Sequence, residues 1–448
     1  METSDFKSKI IAAQGDPARL EALYRGLGAG DVRAFQAAMQ ECAQAHPGDV
    51  LFRAWMLRLE GQREGTVKVQ PKAEEGNAVW KTAIGLSVLL GVLFMLLAQG
   101  KPPAPVPLPE DSSYFWLGWA PLLGIMLMAF FATTRKRPQE TRQYLVASAI
   151  ITSVVLVVGL TSTDAEDHAT QLMLLHAPFV IWAVVGIALM WKMDFRTLQV
   201  FAFVKKSLEV CVTAGLFYAA GGLFTALTAG IFEALGVEIP EGFLMRFAAW
   251  GMGVVPLLAV ASVYDVRYSP RDQDWRGGIA RILSIITRLL LPLALLVLIV
   301  YIVWFIPAHF WEPFQNREVL AIYNATIIAM LMLLGYIPSE EHAGTAWGEW
   351  LRRGVLTGMA LTILLNVYAY AAVLSRTIAG GITPNRHAVL GWNMVTLVML
   401  CVLITALVRA KGAKKEQWVT HFQSAFAKAM IFPVAWAVWV LLVSPLLK

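Results

Sequence analysis

The stretch Leu283–Ile306, LSIITRLLLPLALLVLIVYIVWFI, carries a single charge, Arg288, in 24 residues. As a helix rising 1.5 Å per residue it reaches about 36 Å, enough to cross a hydrocarbon core about 30 Å thick. Inside a bilayer each spanning segment must satisfy its own backbone, and this run is far longer than the roughly ten-residue alternating strands of a barrel. It therefore reads as a membrane helix.

Runs of the same kind recur along the chain. Eleven spans are expected, near 78–98, 114–133, 143–161, 171–191, 207–234, 243–264, 283–306, 319–337, 354–375, 387–408 and 425–445. With 448 residues, 57% hydrophobic and only 15% charged, the composition lies far from that of a soluble domain, where about 25% of residues are charged. The expected fold is all-α: a polytopic transmembrane helical bundle of about eleven spans over 78–448, preceded by a small helical module at 1–62 and a linker at 63–77.

Basic residues set the orientation. Eighteen lysines and arginines fall in one set of connecting loops and six in the other (Lys101, Arg246, Arg317, Arg376, Arg386 and Lys448). The richer set, which includes Arg135, Arg142, Lys205, Lys206 and Arg352, is expected to be cytoplasmic, and the N-terminus with it. The net charge of +6 is explained by that bias, so nucleic acid is not expected as a partner. Trp80, Trp116, Trp191, Trp304, Trp311, Trp392 and Trp418 cluster near span ends, where an amphipathic ring prefers the interface. No cleavable leader is expected, since Met1 to Gly61 is mixed polar.

The N-terminal module has helix starts at Asp16-Pro17, Asp31 and Asp49, each preceded by a glycine. Leu20, Leu23, Tyr24 and Leu27 share one face, as do Val32, Phe35 and Met39, then Leu51, Trp55, Met56 and Leu59. The arrangement resembles a tetratricopeptide-type pair of helical hairpins but is too short for the three repeats a solenoid needs; a small helical cap is the favoured reading, and docking of a cytoplasmic protein partner through residues 1–62 is the other.

Cofactor and metal chemistry finds little footing. None of the seven histidines lies in the middle of a span, and His176 is about one turn into its helix, so haem ligation is not expected. Cys42, Cys211 and Cys401 have no CxxC spacing. His168 beside Asp164, Glu166 and Asp167 reads as solvated loop charge, and no metal is expected. Glu209 and Glu233 lie at opposite edges of the fifth span, so no carboxylate is expected at mid-depth. That argues against proton coupling. No P-loop, nucleophile elbow or zinc-helix pattern occurs.

Three features remain. Arg288 is a candidate membrane-embedded charge, with an interfacial helix over Gly278–Arg288 as the favoured reading. Gly222, Ala226 and Gly230 at four-residue spacing suggest a packing seam. Tyr323 and Asn324, then Asn366, Tyr368 and Tyr370, then Asn393 and Thr396 form a polar line through the last third, read as amides bonded across helices or as a polar cavity.

One outer loop stands apart. In Arg376–Arg386, Thr383 and Pro384 are an N-cap and first helical residue, and Gly380 and Gly381 supply a turn. Capping does not explain Arg376 and Arg386 on the side where basic residues are scarce. Arg376 followed by Gly381-Ile382-Thr383-Pro384-Asn385-Arg386 and another apolar span resembles the tail of a bacterial inner-membrane family known as domain of unknown function four-one-five-three. The resemblance covers the last third of the chain. It implies a bacterial inner-membrane location and a helical fold, assigns no chemistry, and leaves the N-terminal module outside the family's pattern.

The resulting expectation is a non-enzymatic transporter-like or sensing component of a bacterial inner (cytoplasmic) membrane, with an outward-facing site built from Arg376, Thr383, Asn385, Arg386, Asn366, Tyr370 and Asn393. Membrane lipids are expected partners; no cofactor is expected. Two other readings are a membrane enzyme acting on lipid or lipid-linked substrates at the Asp265–Asp274 loop, and a scaffold or effector that uses its N-terminal module.

Overall fold

The structure, a computed structural model, describes residues 3–25, 32–46, 48–64, 73–98, 114–135, 138–161, 168–191, 193, 196–275, 277–338, 344–410 and 417–446. The Asp31 cap, the acidic cluster at Asp164–Asp167, most of the expected linker, and Lys101, Lys411, Lys414, Lys415 and Lys448 lie outside the described residues. The chain divides into two compact units, Met1–Asn77 and Ala78–Lys448.

The first unit is four helices: α1 (Thr3–Ile11), α2 (Pro17–Arg25), α3 (Val32–Ala45) and α4 (Val50–Glu64). Its core gathers Phe6 and Ile10 from α1, Leu20 from α2, Phe35 and Met39 from α3, and Phe52, Trp55 and Leu59 from α4. α1 went unread in the sequence because its apolar positions are few; it is held by packing on α3. The Asp16 carboxylate accepts from Arg19 N at 3.0 Å, and Asp49 Oδ1 accepts from Leu51 N at 2.8 Å and Phe52 N at 3.1 Å, so both act as N-caps. Gly15, at φ +78°, ends the turn before α2.

The second unit contains α5 (Ala73–Ala98, which begins in the first unit), α6 (Tyr114–Arg135), α7 (Pro138–Thr161), α8 (His168–Met190), α9 (Arg196–Ala234), α10 (Glu241–Val263), α11 (Gly278–Val300), α12 (Ile306–Ala308), α13 (Glu312–Gln315), α14 (Arg317–Tyr336), α15 (Ala346–Gly380), α16 (Pro384–Arg409), α17 (Trp418–Ala429) and α18 (Ile431–Val443). Among the described residues eleven helical stretches are long and apolar enough to cross a membrane, as the hydropathy pattern predicts. The fold is an all-α polytopic helical bundle.

Several helices overrun the apolar runs that announce them. α9 starts at Arg196 instead of near 207, and α15 at Ala346 instead of near 354. Backbone propensity does not stop where hydropathy does. Glu349 pairs with Arg352 at 2.8 Å and with Arg353 at 3.4 Å, the three- and four-residue spacings that stabilise extra turns. α11 continues through a π-helical turn, Tyr301–Phe305, into α12. Pro307 accounts for this: its ring cannot sit under the carbonyl four residues back, and the helix widens there. The last span breaks between α17 and α18 just before Pro433 for the same reason.

Two apolar cores organise the unit. One joins α11, α14, α15, α16 and α17 with Phe201 of α9 around Leu291, Tyr323, Val355, Leu365, Leu403 and Phe422. The other joins α6, α7, α8 and α10 around Phe130, Ile151, Ile181 and Leu257. α5 crosses α10 at a backbone contact, where a Cβ on Gly253 would lie 2.7 Å from Gly91 Cα. Glycine is required at such a crossing. The seam read at Gly222, Ala226 and Gly230 has no such neighbour: beyond the helix's own backbone, no described atom lies within 4 Å of a Cβ built on Gly222 or Gly230.

Candidate functional site

A buried polar cluster of the second unit forms where α9, α11 and α14 meet. Glu209 of α9 is fully buried. Its Oε2 accepts from Lys206 Nζ at 2.7 Å and its Oε1 from the Tyr336 hydroxyl at 3.0 Å. Lys206 also donates to the Asp274 carbonyl at 3.3 Å, and its ammonium lies over the Trp275 ring at 4.6 Å. Lys205 lies over the Tyr336 ring at 4.6 Å, and the Tyr336 hydroxyl also reaches the Ala280 carbonyl of α11 at 3.4 Å.

Each member is placed by ordinary helix geometry. Lys206 and Glu209, three residues apart, share a face of α9. Tyr336 is the last residue of α14, and Trp275 ends the loop that leads into α11. Sequence reading put Glu209 at the edge of a span beginning near 207. Because α9 begins at Arg196, Glu209 instead falls well within an unbroken helix and is sealed by α14. The Lys206–Glu209 spacing was visible; the tyrosine that caps it, 127 residues away, was not. Arg288 lies on α11, a helix continuous from Gly278.

A second cluster tightens the same end of the bundle. Arg135 donates from Nε to the Val266 carbonyl at 3.0 Å, and from Nη2 to the Tyr264 hydroxyl at 3.1 Å and the Tyr268 carbonyl at 3.3 Å. Its Nη1 reaches Glu140 at 3.4 Å. Burial, partly opposed by Arg135, pushes the Tyr264 phenol up to about 12. The loop that Arg135 grips is the one read as an alternative enzyme site, and its carboxylates are engaged. Asp265 accepts from Arg267 Nε at 2.8 Å, and Asp272 from Ser269 at 2.6 Å. Among the described residues no group of three or more His, Cys, Asp or Glu could hold a metal ion.

The expected outer site divides into pieces. Thr383 caps α16 by accepting from Arg386 N at 3.3 Å, and Asn385 is half-buried in its first turn. Arg386 Nη1 donates to the Gly381 carbonyl at 2.6 Å, at the end of α15 where Gly381 takes φ +74°. This arginine therefore finishes α15, a cation at a helix C-terminus. Arg376 differs. Its Nη1 is buried and has no hydrogen-bond partner among the described residues.

Within the polar line, Asn366 Nδ2 donates to Thr396 Oγ1 at 2.7 Å, joining α15 to α16, while its buried Oδ1 is unpartnered. Asn393 Nδ2 bonds its own helix at Val389 O, at 3.1 Å. Tyr370 is half-buried. Tyr368 donates to the Phe310 carbonyl at 2.7 Å and packs its ring 5.8 Å from that of Tyr323.

His176 is saturated. The Trp392 indole N–H donates to its Nε2 at 2.7 Å, which leaves the proton on Nδ1 to bond the Leu172 carbonyl at 2.7 Å. A neutral histidine with both nitrogens occupied is a structural bridge between α8 and α16.

Eleven apolar helices around two cores define a multi-pass membrane protein of the all-α class. No family model, no curated protein and no solved structure matches the chain.

Proposed function

We propose that the chain is a non-enzymatic, transporter-like or sensing component of a bacterial inner membrane, operated by charge at the α9–α11–α14 junction. The N-terminal unit is then cytoplasmic, a placement supported by the excess of lysine and arginine at one end of the helices, and the resemblance of the tail supports the bacterial membrane. The observation that carries the reading is Glu209, fully buried in a membrane helix and held by Lys206 and Tyr336. Such a pair stabilises a fold less well than packed apolar residues of the same size, and ionisable groups within membrane helices usually mark function. Loss of the Glu209 carboxylate takes away the acceptor that both donors share and leaves Lys206 uncompensated. Separation of α9 from α14 relieves that state. α14 also carries Tyr323 against Tyr368 of α15, so its displacement reaches the helix that bears Asn366 and Arg376, the outward polar site.

The test is the distance between spin labels on α9 and α14, measured by double electron–electron resonance on the protein reconstituted in liposomes. A longer distance is expected in Glu209→Gln, which lacks the carboxylate, than in the wild type. The same distance in both overturns the charge-operated element.

A further inference from the structure

At the basic end of the bundle the antiparallel helices α7 and α8 part to leave a groove of about 370 Å³. Two small residues line it, Ala147 of α7 and Ala188 of α8, and both are buried. Its walls are apolar and open outward: Ile150 and Ile187 are 46% and 51% exposed on the lipid-facing surface of the unit. A water-borne solute gains nothing from such walls, whereas a hydrocarbon chain arriving from the bilayer does.

The mouth is polar. Arg142 and Gln143, adjacent in α7, lie about one turn before the apolar wall begins at Val146 and Ala147, and Trp191 follows the end of α8. Arg142 is exposed and has no ion-pair partner among the described residues. Gln143 Oε1 is buried and has no hydrogen-bond donor among the described residues. A guanidinium calls for an anion, and an unpartnered amide oxygen calls for a hydroxyl or ammonium. From Arg142 to Ile150 the groove runs about 12 Å along the helix axis, the reach of a headgroup and the upper part of a chain.

We propose that this groove is a site for one anionic glycerophospholipid with a hydroxyl-bearing headgroup: its phosphate on Arg142, its hydroxyl on Gln143 Oε1, and one chain in the slot between Ala147 and Ala188. A zwitterionic lipid of the same chain length fills the slot but brings a choline cation to Arg142 and no hydroxyl to Gln143.

The test is native mass spectrometry of the full chain, delipidated in detergent and titrated with dioleoyl phosphatidylglycerol or dioleoyl phosphatidylcholine. The first phosphatidylglycerol is expected to bind about tenfold tighter than phosphatidylcholine, as a charge-assisted contact allows. Arg142→Gln should erase that preference, and Ala147→Leu, which fills the slot, should weaken both lipids. Arg246→Gln, in a different groove lined by Phe243 and Trp250, should change neither. Unfolding midpoints in the same detergent verify that the variants are folded. Equal affinities for the two lipids, or a preference that survives both Arg142→Gln and Ala147→Leu, overturns the site.

Discussion

Lys206 and Glu209 sit one turn apart on α9 and meet at 2.7 Å with both side chains almost completely sealed from solvent. Removing either partner leaves the other charge buried and uncompensated, which costs about 3–5 kcal/mol. Glu209→Gln and Lys206→Met are each expected to lower the unfolding midpoint in detergent strongly, and the double variant to recover most of the loss. Additive losses in that cycle mean that the two side chains do not depend on each other.

Arg376 and Arg386 stand out alike in the sequence but behave differently in the fold. Arg386→Gln removes the bond to the Gly381 carbonyl and is expected to destabilise the α15–α16 turn by about 0.5–1.5 kcal/mol, the worth of an ordinary hydrogen bond. Arg376→Gln removes a charge whose Nη1 bonds to nothing described, so stability should hold or rise slightly. Under the proposed function it is Arg376→Gln that abolishes solute-dependent activity in reconstituted vesicles. Full activity in that variant takes Arg376 out of the site.

The glycines give a steric contrast. At Gly253 an added Cβ meets backbone, Gly91 Cα and the Leu90 carbonyl, both at 2.7 Å, so neither neighbour can turn away. Gly253→Ala is expected to cost about 1–3 kcal/mol or to part α5 from α10. Gly230→Ala meets open space and should be neutral or slightly stabilising in detergent. Thermal unfolding of the two variants side by side checks the pair.

Acid should loosen the N-terminal unit at one defined place. Asp49 is held below its ordinary value of 3.8, first by its bond from Gln14 and then by the Phe52 amide. A carboxyl lowered in the fold lends stability that is complete above its unfolded value and fades as pH falls through its folded one. Amide exchange in the first turn of α4 is therefore expected to lose protection, relative to the rest of α4, as pH drops below about 4, and Asp49→Asn should remove that dependence. Unchanged relative protection at low pH contradicts the cap.

How much of this was written openly in the chain varies with the reach of the force involved. The bilayer imposes a length and an apolar composition that any single helix must meet alone, so the eleven spans could be read one by one. Local chemistry was equally plain: Thr383 before Pro384, and Asp16 and Asp49 before their helices. Glu209 was legible as a residue but not as a buried one, because its burial depends on Tyr336 and on α9 continuing back through polar sequence to Arg196. Arg135 looked like one more cytoplasmic charge, since its partners are backbone carbonyls in a loop about 130 positions away. Arg386 was an anomaly of charge whose resolution, a carbonyl beside a left-handed glycine, no side-chain pattern announces.

α9 has a mechanical consequence. It is one proline-free helix from Arg196 to Ala234, held by packing and by the Glu209 cluster near one end and touching chiefly α10 at the other. From Glu209 to its far tip is about 38 Å, so a tilt of about 5° at the charged end swings the tip by about 3 Å. The helix has the geometry of a lever with its fulcrum at an ion pair: a change in the Lys206–Glu209 contact is expected to show, magnified, at its far end.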